Sequence, residues 1–350
     1  MSANVQKQLL PVIPTTKNYW LVRTQGGKYY DDYKRNGFIA INWNEITISD
    51  IVDLSITDLA RTVKEKYPDK QGQGRTANQL RVFSKVIKKG DAVIITSHSS
   101  NKLTIGQIIE DEPFVDVIND QLLEENNKLC PYHKRKKVKW GPTYNKYEID
   151  IELFKMLQHA QQTISSANDY ADAIESLTHN FYTKGNEAYL ALRVKKDGKI
   201  PMSEFFPMGT EILKLASSFN EFSSTIKIDI DDIETKINVN SPGKIKLKGT
   251  IATITIVGLL LVGLTGGKFT INTPEKLGGL NVEISTPGLI KVVNDFLESR
   301  KSDEFQDKLL EKYMDDLQVD TPDELKTLLD TVNNNSAEVL EVRNNDTSEK

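Results

Sequence analysis

The chain has 350 residues, 38% of them hydrophobic and 27% charged, which describes folded material too long for one core and points to two or three domains. One cysteine, Cys130, excludes a disulfide framework and a Cys-rich zinc site, and the four scattered histidines exclude a zinc helix built on paired histidines. The net charge of −4 is divided unevenly: residues 1–150 carry 23 Lys and Arg against 18 Asp and Glu, leaving 22 against 31 for the remainder, so an anionic partner is expected at the front half.

In chain order, residues 1–16 read as a flexible lead without the apolar core of a signal peptide, so a cytoplasmic location is expected. YWLVRT and GFIAINW follow as aromatic and β-branched strands, with Tyr29 and Tyr30 expected to cover the loop between them. TISDIVDLSITDLARTVKEKY has helical spacing with Ser, Thr and Asp positioned as caps, and TANQLRVFSKVIKKG is a second helical stretch ended by Gly90. DAVIITSHS and KLTIGQIIEDEP read as buried strands. YHKRKKVKW reads as an edge strand alternating basic and apolar positions. The expected architecture is α+β, opening with a partly closed β-barrel with helices over residues 17–142. A helical connector follows over 143–182, then a small α+β module over 183–248, in which TIKIDIDDI and TKINVNS alternate as strands and SEFFPMGTEILKLASSF is an amphipathic helix. Residues 268–333 read as a helical region and 334–350 as a disordered polar tail.

Between Lys248 and Lys268 lie nineteen uncharged residues, 249–267. As a helix they would measure about 28 Å, close to the roughly 30 Å of a bilayer's hydrocarbon core. Five are Gly and four are Thr, which weakens insertion. Two readings stay open: a transmembrane helix anchoring the chain to the inner membrane, towards which the expectation leans, and a glycine-rich hairpin buried in the C-terminal region. A helix with glycines at 258 and 263 would also suit close packing against a copy of itself, so a homo-oligomer is an expected partner state.

Catalytic chemistry is poorly signalled. Ser97-His98-Ser99-Ser100 has no acid placed by sequence, and Glu234-Thr235-Lys236 after Asp229 fits a nuclease carboxylate pattern only loosely. Lys227, Asp229 and Asp231 alternate as a solvent face would. QGQGR lacks the Gly-Lys-Ser/Thr ending of a phosphate loop. No catalytic residue, metal or cofactor is expected.

Three elements fall in a suggestive order: the Tyr19-Trp20 strand, a polar loop opening a helix with Arg75 and Asn78, and a strand that leaves Lys88-Lys89-Gly90-Asp91 and ends in Ser97-His98-Ser99 before TIGQIIE. This order resembles the EVE domain of the PUA-like superfamily. WLVRTQGGKYYDDYKRNGFIAINW is also similar to the N-terminal domain found ahead of Mrr-like restriction nucleases, where an arginine follows the first tryptophan. YHKRKKVKW resembles that domain's closing strand, with His133, Arg135 and Trp140 in register and one residue more before Val138. The resemblance spans residues 17–142.

The resemblance implies a reader of nucleic acid or of a modified nucleotide; because the chain continues into an α+β module and a possible membrane element instead of a nuclease core, that reader looks like a sensor in bacterial antiphage defence. The alternative is a membrane-associated effector gated by a small nucleotide, with a nuclease as an outsider. A base out of its stack needs a flat surface and edge partners. Trp43, Asn42, Ser97 and His98, at the ends of two strands, are expected to form that pocket, with Trp20, Arg23, Arg75 and Asn78 contributing. Lys134, Arg135, Lys136, Lys137 and Lys139 are expected to lie along phosphates.

Overall fold

The computed structural model describes residues 10–147, 149–159, 162–196, 201–238, 243–265, 286–300 and 304–326. Two compact units result, one formed by Thr16–Thr178 and one by Met1–Thr15 together with His179–Lys350. The architecture is α+β. Parts of the expected lead (1–9) and helical region, and the whole of the expected tail (334–350), lie outside the described residues.

The chain starts in the second unit with a two-residue strand, β1 (Val12–Ile13), and then builds the first. Its elements are β2 (Tyr19–Val22), α1 (Tyr30–Asn36), β3 (Phe38–Ile41), α2 (Ile48–Asp53), α3 (Ile56–Lys66), α4 (Gln73–Arg81), β4 (Ala92–Thr96), β5 (Lys102–Ile108), β6 (Phe114–Val115), α5 (Asp120–Glu125), β7 (Lys134–Asn145), α6 (Ile151–His159), β8 (Ile164–Ser166) and α7 (Ala171–Thr178). The sheet runs β3-β7-β5-β4-β2-β8, with β6 also on β7, and curls into a half-barrel. The twelve-residue β7 turns the corner: Lys134–Lys137 pair with β3, and Val138 onwards pairs with β5. YHKRKKVKW is therefore a central strand and not the expected edge.

Both faces of this sheet are covered, which explains why β2 and β3 are apolar at every position. Trp20 and Val22 pack with Tyr33, Ile51, Leu59, Val63 and Leu80 from α1–α4. Tyr19 and Leu21 face the other way, onto Leu153, Met156, Ile174 and Leu177 from α6 and α7. The residues expected as a connector thus supply the second face of the half-barrel. The stretch expected as one helix over residues 47–67 is two, because Thr47 and Asp50 form a capping box and Ser55 caps a fresh start. Tyr30 opens α1, a helix that the aromatic and charged YYDDYKRN did not announce.

The second unit holds β9 (Phe181–Lys184), β10 (Glu187–Val194), α8 (Met202–Phe222), β11 (Glu234–Asn238), β12 (Gly243–Thr250), α9 (Ile251–Leu264), α10 (Thr286–Ser299), α11 (Glu304–Asp316) and β13 (Val319–Asp320). Its mixed sheet runs β1-β9-β10-β12-β11, with β13 on the end of β10. Ala188, Leu190, Leu192, Val194, Ile245 and Leu247 face one core with side chains of α8, α9, α10 and α11. TIKIDIDDI, expected as a strand, is irregular apart from a turn; Ile228 is held by Asn220, whose carboxamide bonds its N–H and its carbonyl.

The apolar segment at 249–267 forms α9 within this core. Its fourteen residues span about 21 Å, short of a bilayer, and Thr253–Val262 are all buried. Among the described residues no helix is long and apolar enough to cross a membrane. The expected span is replaced by a core helix, which answers the same need to remove apolar surface from water. Residues 266 and 267 lie outside the described residues.

Candidate functional site

β2 and β4 run parallel, with Tyr19 opposite Ala92 and Leu21 opposite Ile94, so both strands deliver their carboxyl ends to one rim of the sheet. Loops at such a rim are where ligands gather in sheets with parallel strands. Two turns leave it, Arg23–Gly27 after β2 and Ser97–Ser100 after β4, and they line a cavity of about 290 Å³. Arg23, Thr24, Thr96, Ser97, Ser99 and Ser100 supply its polar lining, and Leu21, Val22 and Leu157 its apolar lining. Arg23 is the one charged residue among the described lining residues.

The two turns are built against each other. The Thr24 hydroxyl donates to the Thr96 carbonyl at 2.7 Å. The Ser97 hydroxyl accepts from the Lys102 N–H at 2.9 Å, while the Ser97 N–H donates to the Lys102 carbonyl at 3.0 Å. Ser99 Oγ lies 3.1 Å from His98 Nδ1. Gly27 has φ +93°, and a Cβ there would sit 2.1 Å from the His98 backbone nitrogen, so this approach of backbone to backbone requires glycine. Gln25, Ser99 and Ser100 carry φ of 55°, 54° and 52°, three of the five left-handed non-glycine residues among those described. Each such residue costs about 1–3 kcal/mol, and they persist where surrounding structure fixes them, commonly at ligand sites.

The structure brings Arg23 and Ser97 together, with the exposed His98 beside them. The other expected pocket residues lie elsewhere. Trp20 is buried in the core, its indole N–H donating to Asp91 at 2.9 Å. Asn42 and Trp43 follow β3, which β7 and β5 separate from β4 in the sheet. Asn42 Oδ1 accepts from the Trp43 N–H, and Trp43, half-buried with φ 63°, packs on the core. Arg75 and Asn78 are exposed on α4. Thr24 and Thr96 were missed, and Ser99 and Ser100 entered only through the catalytic reading of Ser97-His98-Ser99-Ser100; the Gly26-Gly27 pair shortly after the buried strand β2 was the available signal.

The expected phosphate row divides in two. Lys134, Arg135 and Lys136 are 2%, 4% and 0% exposed. Lys134 Nζ donates to the Trp43 carbonyl at 2.6 Å, and Lys136 Nζ to the carbonyls of Ile87, at 2.8 Å, and Asp111. Arg135 lies over the Phe38 ring and donates to Asp116, Cys130 and Tyr132. These three charges hold loops to β7. Burial pushes both lysines down to about 8, assisted by the nearby cations Lys66 and Lys88 respectively. Burial pushes the Cys130 thiol up to about 11 and the Tyr132 hydroxyl up to about 12. Lys137, paired with Glu110 at 2.9 Å, and Lys139 remain exposed.

Glu234 and Lys236 lie on β11 in the second unit, where Glu234 sits 3.9 Å from Lys248. Among the described residues no group of three or more His, Cys, Asp or Glu side chains is placed to hold a metal.

Residues 19–168 match the model of a family described as a domain of unknown function (DUF8426). The match begins at the first residue of β2 and ends just past β8, so it coincides with the half-barrel sheet. No curated protein and no solved structure matches the chain.

Proposed function

We propose that the half-barrel is an EVE-like reader domain of the PUA-like kind, which takes a nucleobase or nucleotide into the cavity between the Arg23–Gly27 and Ser97–Ser100 turns without transforming it. The observation that carries this reading is the lining itself: one guanidinium and five hydroxyl side chains arranged beside an apolar patch, at the carboxyl ends of two parallel strands. Hydroxyls donate and accept, which suits the mixed edge of a base. The planar guanidinium serves either to stack on a base or to bind a phosphate in bidentate fashion. A cavity of about 290 Å³ lies at the small end of ligand sites, which start near 300 Å³, and favours a single base or mononucleotide over a dinucleotide. Since the described lining holds no aromatic ring, Arg23 takes the stacking role first expected of Trp43. The place in antiphage defence rests on the resemblance to the domain ahead of Mrr-like nucleases.

Thermal-shift and calorimetric titration of the full chain with mononucleotides, and with oligonucleotides carrying methylated or hydroxymethylated bases, tests the reading. Binding that Arg23→Ala weakens at least tenfold supports it. Saturable binding unaffected by Arg23→Ala and Ser100→Ala refutes this pocket. Preference for free mononucleotides over oligonucleotides selects the small-nucleotide sensor.

A further inference from the structure

The polar surface at the rim of the half-barrel continues past the cavity. The Ser97–Ser100 turn that lines it leads through Asn101 into Lys102, the first residue of β5, and Ser97 and Lys102 bond each other through both of their N–H groups. Across the ladder Lys102 stands opposite Asn145, the last residue of β7. The next residue, Lys146, donates its N–H to the Asn101 carbonyl at 3.0 Å. Tyr147 follows. At 83% exposed it is the most exposed large hydrophobic side chain among the described residues, and the Lys146 ammonium lies over its ring, 5.1 Å from the centroid.

Lys102 is exposed and Lys146 half-buried, and among the described residues neither ammonium has a hydrogen bond or a carboxylate partner. Asp150 and Glu152, the described carboxylates that follow Tyr147, are engaged by other groups. At most roughly 13 Å separates the Cα atoms of Ser100 and Tyr147: two steps of about 3.8 Å along the chain and one of about 5.5 Å between bonded strands. One or two steps of an extended nucleic-acid strand cover that distance. A cavity of about 290 Å³ holds one base or mononucleotide, so only a ligand that continues beyond it meets Lys102, Lys146 and Tyr147.

We propose that these three residues form a flanking subsite, and that the ligand of the cavity is one nucleotide of a single-stranded nucleic acid; this rests on the nucleotide-binding reading of the cavity. One unpaired base enters the cavity, the adjoining phosphates pass Lys102 and Lys146, and a neighbouring base stacks on the open face of Tyr147. Stacking on an aromatic ring accepts any base that is unpaired, and a base reaches such a cavity only once it has left the duplex stack. The partner is therefore a single strand and not intact duplex. Lysine ammoniums act on phosphates as point charges and read no sequence. The cavity thus selects the base, while the flank supplies affinity that falls with salt.

The test is fluorescence anisotropy of a labelled DNA strand, about twelve nucleotides long with one central 5-methylcytosine, bound to the full chain across a range of salt concentrations. Calorimetric titration with 5-methyldeoxycytidine monophosphate runs beside it. The strand should bind at least about tenfold more tightly than the mononucleotide. Tyr147→Ala should weaken strand binding at least about fivefold and leave the mononucleotide affinity unchanged, which also shows that the variant is folded. Lys102→Gln combined with Lys146→Gln should lower the slope of log K against log salt by about 1.4, from roughly 0.7 per phosphate contact. Arg23→Ala should weaken both ligands. A strand that fails to bind, or binds no more tightly than the mononucleotide or than its own duplex, overturns the proposal. So do native strand affinity and slope in the Tyr147→Ala and double Gln variants; if Arg23→Ala still weakens the mononucleotide, the cavity reading then stands alone. Strand binding that Tyr147→Ala weakens and Arg23→Ala leaves intact overturns the cavity reading, and this proposal with it.

Discussion

Gly27 holds the rim of the cavity together, and replacing it with alanine should collapse that rim. A Cβ at this position would lie 2.1 Å from His98 N, 2.4 Å from His98 Cα and 2.6 Å from Ser97 C, and φ is +93°. The clashing atoms are all backbone, so no rotamer change relieves them. The Ser97–Ser100 turn must move, carrying Ser97, Ser99 and Ser100 out of the lining. Left-handed backbone costs an alanine about 1–2 kcal/mol, and overpacking adds about 1–3 kcal/mol. Gly26→Ala is the matched control: its φ is +65°, but nothing lies within 4 Å of the added carbon, so it pays the backbone cost alone. The three tryptophans, Trp20, Trp43 and Trp140, all lie in the half-barrel unit, so intrinsic emission during urea unfolding reports that unit selectively. Gly27→Ala should lose about 1–3 kcal/mol more than Gly26→Ala, together with ligand binding at the cavity. Equal stability of the two variants would refute the account of the rim.

Asp91 accepts from the Trp20 indole at 2.9 Å, the Lys88 N–H at 3.0 Å and the Asn18 N–H at 3.1 Å. Asp91→Ala should therefore cost at least about 2 kcal/mol by the same emission assay, with Asp91→Asn intermediate; a neutral Ala variant would sink this assignment. In α9, a Cβ on Gly258 would lie 2.3 Å from the Leu325 side-chain tip. Gly258→Ala should be close to neutral, whereas Gly258→Leu should cost about 1–3 kcal/mol or more and speed amide exchange across α9, with unaltered exchange counting against the packing. Stability of the half-barrel should also depend on pH. Lys134 and Lys136 are held down to about 8, so the unfolded chain binds more protons above that value and stability rises with pH, by about 1 kcal/mol per lysine from pH 7 to 9. Cys130 works oppositely: its folded value is up to about 11, so stability is lost as pH climbs beyond the ordinary thiol range near 9. A urea midpoint that is flat from pH 7 to 9 would contradict the burial of the two ammonium groups.

The elements that could be read from the sequence are those whose side-chain pattern states its own environment. The strands of YWLVRT, GFIAINW and DAVIITSHS and the helix of α3 have that quality. What pairs with what does not: nothing local in β2 or β4 says that they lie parallel, and that pairing is what brings Arg23 to Ser97. Lysines mislead for a physical reason. A buried ammonium is so costly that Lys134 and Lys136 read as surface, and only the distant carbonyls of Trp43, Ile87 and Asp111 make their burial tolerable. The apolar run of α9 is ambiguous because a bilayer and a protein core make the same demand on composition.

β1 pairs in parallel with β9, Val12 opposite Thr183 and Ile13 opposite Lys184, and Leu10 belongs to the core of the second unit. In sequence the half-barrel is thus inserted between these two strands of the second unit, and the order of synthesis becomes an order of folding. The half-barrel is complete once Thr178 has emerged and can close during translation. The second unit holds its first strand from the outset and must keep it unpaired until β9 appears. Cutting the chain after the half-barrel, to produce the remainder alone, would discard β1 and Leu10 and leave the β9 edge open to pairing with another molecule.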